Sequence, residues 1–253
     1  MLVFHGERLT DAQQVAFATR FGPTERSNNV LQQKDRRIHA QLADISNLDE
    51  HDKVLGAHDR RRMFALGNQL WHSDSSFKAI PAKYSLLHAH AVTPEGGQTQ
   101  FVDMRAAYEA LPEAMRAKIE DLVAEHSIFC SRAKLGFTDF SAEERTALPP
   151  VPQRVVRYHM GSGRKSLYLA SHASHIIGWY VPDGRMLIHD LMEFATQPQF
   201  VYEHTWAVGD LVMWDNSCTM HRGRPYDEAK YRRDMRRATI EDTAPSVAQA
   251  QVA

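Results

Sequence analysis

Trp71-His72-Ser73-Asp74 sets an imidazole and a carboxylate two residues apart. On an extended strand, residues i and i+2 point to one face, so the two groups converge. A His-x-Asp pair joined by a distant histidine is a ligand set that suits divalent iron and leaves coordination positions open. The tripeptide alone is a weak signal. The chain must also supply a third ligand and something to occupy the open positions.

His221 is the distant histidine that meets the first need. It follows an apolar strand, Leu211-Val212-Met213-Trp214, entered through the turn Gly209-Asp210, and Gly223 comes soon after. A histidine so placed stands either at the mouth of a barrel or in an exposed loop. Arg232, Arg233, Arg236 and Arg237 then lie on one predicted strand. Arg232 and Arg236 share one face, and Arg233 and Arg237 share the other. If the even face lines a barrel, two guanidiniums enter it. Buried guanidiniums call for anions, and their forked donors suit carboxylates. His88 and His90 form a second pair with no third ligand near, read as pocket-lining or packed histidines.

The elements that must position these groups are mostly short strands. Leu2-Val3-Phe4 reads as a buried strand. Thr10 and Gln13 form a capping box that opens an amphipathic helix, and Gly22-Pro23 ends it. Residues 24–62 are polar, with residues 42–45 the one apolar island and 49–62 a surface loop or lid. A strand from Phe64 carries Asn68, Leu70, His72 and Asp74 on one face. Further strands are expected at 84–92, 99–102, 155–159, 167–170, 200–206, 211–214 and 232–240. Gly161-Ser162-Gly163 turns a hairpin. Helices are expected at 106–110, after Pro112, and at 186–196. Residues 137–153 read as a loop. Many short strands with few helices point to a mainly β chain with flanking helices around a double-sheet jelly roll.

Composition agrees with one enzyme-sized domain over residues 1–253. Hydrophobic residues make up 43% and charged residues 24% of 253, ordinary for a globular protein. A net charge of −1 gives no electrostatic case for nucleic acid or an anionic membrane. Cys130 and Cys218 make neither a disulfide framework nor a cysteine-based zinc site. No apolar run is long enough to span a bilayer, and no signal peptide is recognisable. The expected setting is the cytoplasm, with homo-oligomerisation left open.

The ordered blocks Asn68-Gln69-Leu70-Trp71-His72-Ser73-Asp74-Ser75-Ser76-Phe77, Asp103-Met104-Arg105-Ala106-Ala107-Tyr108, His172-Ala173-Ser174-His175 and Val208 to Asn216 carry a specific resemblance. The chain resembles the taurine dioxygenase and 2,4-dichlorophenoxyacetate dioxygenase family of Fe(II)- and 2-oxoglutarate-dependent oxygenases, nearest its phenoxyacetate branch. The resemblance implies a double-stranded β-helix core with His72, Asp74 and His221 as iron ligands. It implies that Thr99 and Arg232 bind the cosubstrate 2-oxoglutarate and that Arg236 holds the acidic group of the substrate. Asn68, Trp71, His159, His172 and His175 are implied to surround that substrate. With oxygen as the further reactant, hydroxylation of an aryloxy acid beside its ether oxygen would cleave it to a phenol and glyoxylate. A sulfonate, a sulfate ester or another small acid is the alternative substrate. A zinc hydrolase and a truncated, inactive acid-binding homologue are rival readings. Relatives carry further residues ahead of Leu2, so an N-terminal strand and helix are expected to be missing. The Arg26–Lys34 stretch lacks a basic residue expected for that branch.

Overall fold

The computed structural model describes residues 1–26 and 37–249. The Arg26–Lys34 expectation therefore lies outside the described residues, save for Arg26. Strand β1 (Leu2–Phe4) leads to helix α1 (Asp11–Ala18). Thr10 Oγ1 accepts from the Gln13 amide and Gln13 reaches back to Thr10, as the capping box predicts. Gly22, at φ +141°, takes the chain out of that helix. Strand β2 (Leu42–Asp44) is the apolar island. Helix α2 (Arg60–Ala65) starts at Asp59, whose carboxylate accepts from the Arg61 amide. Strands β3 (Ala82–Ala91) and β4 (Thr99–Asp103) follow. Asp103 caps helix α3 (Met104–Ala110), and α4 (Glu113–Ile119) starts after Pro112. Next come β5 (Val123–His126), α5 (Ile128–Ala133), α6 (Ala142–Ala147), β6 (Val151–Arg154), β7 (Val156–His159), β8 (Arg164–Leu167) and β9 (Ala173–Ile176). Helix α7 (Val181–Ala195) precedes β10 (Val201–His204), β11 (Leu211–Asp215), β12 (Thr219–Gly223) and β13 (Asp234–Glu241).

Two antiparallel sheets build the jelly roll. The larger runs β1-β11-β3-β13-β2 and the smaller β10-β4-β12. Phe101 of β4 meets Leu87, Val212, Trp214 and Met235 of the larger sheet in one buried cluster. The opposite face of the larger sheet presents Leu86, Leu211, Met213, Ala238 and Ile240 to Val15 and Ala18 of α1. Each of the larger of these side chains, the leucines, valine, isoleucine and methionine, contributes about 1.5–3 kcal/mol by leaving water. The larger sheet is thus apolar on both faces. A third cluster joins α3 and α7 to β5 and β9.

Several expectations are corrected. No strand begins at Phe64: that residue lies in α2, and a 3-10 turn covers Leu66–Gln69. The run Met63-Phe64-Ala65-Leu66 has no two-residue alternation, and the Asp59 cap favours helix. Residues 137–153 hold α6, with its own Ser141–Glu144 capping box, and most of β6. Pro152 is tolerated there because β6 is an edge strand. The second arm of the hairpin is Arg164–Leu167, three residues early, and α7 starts five residues early, with Pro182 in its first turn. Leu2 and Phe4 are exposed and only Val3 packs inward, because β1 is an edge strand of the larger sheet.

Beside β13, Arg37 donates to both oxygens of Asp234 at 2.8 Å, and Arg236 adds a bond at 3.3 Å. Burial alone would raise the Asp234 carboxyl, but these guanidiniums hold it at about 2, below its ordinary 3.8. A depressed folded-state value gives stability that is present above about pH 4 and lost as pH falls towards about 2. Asp234→Asn should flatten that acid limb of the melting temperature against pH. An unaltered limb would rule the pair out as its source.

Candidate active site

His72 and His221 are positioned by each other's backbone. The His72 amide donates to the His221 carbonyl at 2.9 Å, and the His221 amide returns the bond at 2.8 Å. Such a reciprocal antiparallel pair sets two residues directly opposite, with side chains on one face. The rings stand 4.2 Å apart between centroids. Asp74, two residues on, brings Oδ1 to 3.7 Å from His72 Nε2 and Oδ2 to 3.8 Å from His221 Nε2. The three ligand atoms lie within 4.8 Å of one another, and all three residues are buried. Ser75, at φ +52°, then turns the chain away. His221 sits inside β12 rather than in a loop after β11.

A closed polar network fixes the carboxylate. Ser85 donates to Asp74 Oδ2 at 2.7 Å, and Asn216 Nδ2 donates to Ser85 at 2.9 Å. Asn216 Oδ1 accepts from the Asp74 amide and from Trp214 Nε1, each at 3.0 Å. The Arg237 guanidinium meets Asp74 Oδ1. Burial would raise the Asp74 carboxyl, but the Arg237 charge leads the groups that bring it to about 2, with the Ser85 hydrogen bond among them. Burial pushes both histidines below their ordinary value, so both are neutral near pH 7. His72 Nδ1 bonds the Leu70 carbonyl at 2.7 Å, so it carries the proton and Nε2 offers its lone pair. His221 Nδ1 is buried without a hydrogen-bond partner. Two neutral imidazoles and one carboxylate on one face fit a divalent iron. Because Ser85 aims the carboxylate, Ser85→Ala should lower metal affinity about 10- to 100-fold. Isothermal titration with Mn(II) measures this, and an unchanged affinity would remove Ser85 from the site.

Two pockets share His72, Asn68 and Arg237 on their walls. The smaller is also lined by Thr99, Trp214, His221, Tyr226 and Arg233. Thr99 is buried and accepts from Trp206 Nε1 at 2.9 Å. The larger runs past Phe64, Phe77, His172 and Arg132.

A model described as the taurine catabolism dioxygenase TauD, TfdA family matches residues 1–239. The chain belongs to this dioxygenase family. It is 51% identical to the alpha-ketoglutarate-dependent 2,4-dichlorophenoxyacetate dioxygenase of Cupriavidus pinatubonensis, over 96% of this chain and 85% of that one. It is 39% identical to the (S)-phenoxypropionate/alpha-ketoglutarate-dioxygenase of Sphingobium herbicidovorans, over 92% and 79% of the two chains. Among solved structures, AAD-2 in complex with Mn(II) and N-oxalylglycine superposes with a TM-score of 0.90 at 54% identity. That match covers 98% of this chain and 86% of AAD-2.

In this TauD-type dioxygenase the arginines face the opposite way from the even-face reading. Arg232 is half exposed and approaches Asp52 at 3.5 Å. Arg236 turns outward to Asp11 of α1 and to Asp234. Arg233 and Arg237 face the pockets. The register explains it. Arg237 pairs with Leu87, whose side chain lies between the sheets, and Arg236 pairs with His88 on the face towards α1. A bulge at Asp234/Met235 breaks simple alternation just before.

Of the five residues implied to surround the substrate, Asn68 and His172 line the pockets and three do not. Trp71 packs under the Arg222 guanidinium, 4.5 Å from its ring centroid. His175 pairs with Ser174 and lies 3.7 Å from Glu125. His159 bonds Asp215 and Ser162. His88 and His90 bond each other at 3.0 Å and are packed, not pocket-lining.

Arg132 is a pocket residue that sequence reasoning passed over. It is buried, lies 4.3 Å from the Phe64 ring centroid, and donates to Ser131 Oγ at 3.2 Å. It has no ion-pair partner among the described residues. Burial pulls its guanidinium down to about 10. Gly67 makes room for it, because any Cβ there would collide with the guanidinium. The only signal for it was one arginine in α5, which no motif marks.

Among the described residues, no helix is long and apolar enough to cross a membrane.

Proposed function

We propose that this chain is an Fe(II)- and 2-oxoglutarate-dependent dioxygenase that hydroxylates a small aryloxy carboxylic acid. The observation that carries the reading is a two-histidine, one-aspartate face flanked by two pockets that share Arg237 on their walls. His72, Asp74 and His221 hold the iron. Bound iron supplies oxygen activation coupled to decarboxylation of the cosubstrate, chemistry that side chains alone lack. Arg233 and Thr99, in the smaller pocket, take the carboxylates of 2-oxoglutarate. Arg237 stands between the pockets and orients the substrate carboxylate, so that the adjacent carbon faces the metal. Phe64 and Phe77 cover an aromatic ring, and Arg132 offers that ring a cation. His72 and Asp74 are almost wholly enclosed, which excludes water from the reacting centre. Hydroxylation beside the ether oxygen yields a hemiacetal that collapses to a phenol and glyoxylate.

The test is oxygen uptake and succinate release with Fe(II), 2-oxoglutarate and a panel of acids. Phenoxyacetates should give the highest turnover, with phenol and glyoxylate as products. Turnover confined to sulfonates or sulfate esters would keep the chemistry and move the substrate. No succinate from any acid would sink the proposal.

A further inference from the structure

His159 was implied to touch substrate, and it lines neither pocket. It belongs to a second cluster with Asp215 and Cys218, whose ligand atoms all lie within 4.8 Å of one another. The cluster is separate from the iron face. Trp214 points between the sheets, so its neighbour Asp215 points to the other side of β11. Three segments meet there: the end of β7, the end of β11, and the turn that leads into β12. His159 Nε2 and Asp215 Oδ2 are 3.0 Å apart. Zinc bonds of about 2.0–2.3 Å to nitrogen, oxygen and sulfur put neighbouring tetrahedral ligands about 3.3–3.6 Å apart. Small side-chain movements therefore bring the three onto one ion.

The surroundings hold the ligands in place. Ser162 Oγ bonds His159 Nδ1 at 2.7 Å, which orients the ring and leaves Nε2 to face Asp215 and Cys218. The Ser217 amide and hydroxyl both donate to Asp215 Oδ1, at 2.8 and 2.5 Å, while Oδ2 bonds His159 Nε2, so a metal would replace the proton between those two atoms. Outer partners of this kind are what orient metal ligands. Cys218 is buried, and its sulfur lies 3.9 Å from the Asp215 carbonyl and 4.0 Å from Thr219 Oγ1. Arg105 and Arg164 lie within electrostatic reach of that sulfur. Each is matched by its own carboxylate, Asp103 or Glu109, so the cluster is not left facing two free cations.

The geometry points to a second metal site, formed by His159, Asp215 and Cys218, for a borderline divalent cation of the zinc class. One nitrogen, one oxygen and one thiolate sulfur suit such an ion, and three protein ligands leave a fourth position to water. The thiol proton and any imidazolium proton pass to solvent on binding.

Cobalt(II) distinguishes this site from the iron face, which has no sulfur. Titrating the full chain with Co(II) should produce a thiolate-to-cobalt charge-transfer band in the near ultraviolet. The band should persist in His72→Ala and Cys130→Ser and vanish in Cys218→Ser, which keeps iron-dependent turnover. Equilibrium dialysis with zinc should show one more bound ion per chain in the wild type than in Cys218→Ser. If Cys218→Ser does not fold, His159→Gln must abolish the band with its melting temperature retained. No band in the wild type, or a band that survives Cys218→Ser, would overturn the site. Because the band needs no substrate and no 2-oxoglutarate, it stands or falls separately from the proposed oxygenase activity.

Discussion

Arg237→Ala should lower kcat/KM for the acidic substrate far more than Arg236→Ala, although the two arginines are adjacent in sequence. Arg237 enters the shared wall of both pockets beside Asp74, whereas Arg236 leaves the sheet towards Asp11. Removing the charge partner of a desolvated carboxylate costs about 2–5 kcal/mol, roughly 30-fold to several thousand-fold in kcat/KM. Arg236→Ala loses ion pairs with Asp11 of α1 and with buried Asp234, so its effect should fall on stability. Arg233→Ala, by contrast, should mainly raise the KM for 2-oxoglutarate. Steady-state kinetics in both ligands separate the three variants. Equal losses in Arg236→Ala and Arg237→Ala would mean that the pocket assignment is wrong.

His72→Ala, Asp74→Ala and His221→Ala should each abolish substrate-dependent succinate release. Each removes one of three ligands from a face that offers no fourth His, Cys, Asp or Glu among the described residues. The effect should be a loss of metal rather than of fold. The His72–His221 backbone pair does not depend on either imidazole, so both histidine variants keep it. Metal content by atomic absorption, with thermal melting alongside, checks both halves. Near-normal turnover in any of the three would strike that residue from the ligand set.

The metal face was legible in the sequence because His72 and Asp74 stand two apart inside a longer block that carries the family resemblance. His72, Asp74 and His221 were identified, and the structure brings them together. The reason first given for the convergence was only half right. No strand runs from Phe64, and the alignment of His72 comes from pairing with His221, a contact across 149 positions that no local pattern encodes. The arginine parity was illegible for a related reason. Periodicity tells inside from outside only when one face is wet, and β13 buries Met235 on one side and Ala238 and Ile240 on the other. Two arginine pairs, one residue out of step, fit that pattern equally well until the register with β3 is known. Trp71, His159 and His175 show the limit of carrying roles along a resemblance. Their positions agree in order with a family motif, but side-chain direction depends on local packing. Arg132 was missed because a lone arginine in a short helix looks like surface charge until its burial is seen.

The reciprocal amide bonds between His72 and His221 have a consequence for how the protein breathes. They form an isolated bridge rather than part of a long ladder, so they can open without melting either sheet. Any such opening separates two of the three ligands at once. The deuterium uptake of these two amides is thus a direct clock for how often the binding face comes apart. Ions that clasp both rings hold the clock back, by as much as they favour the closed form over the open one.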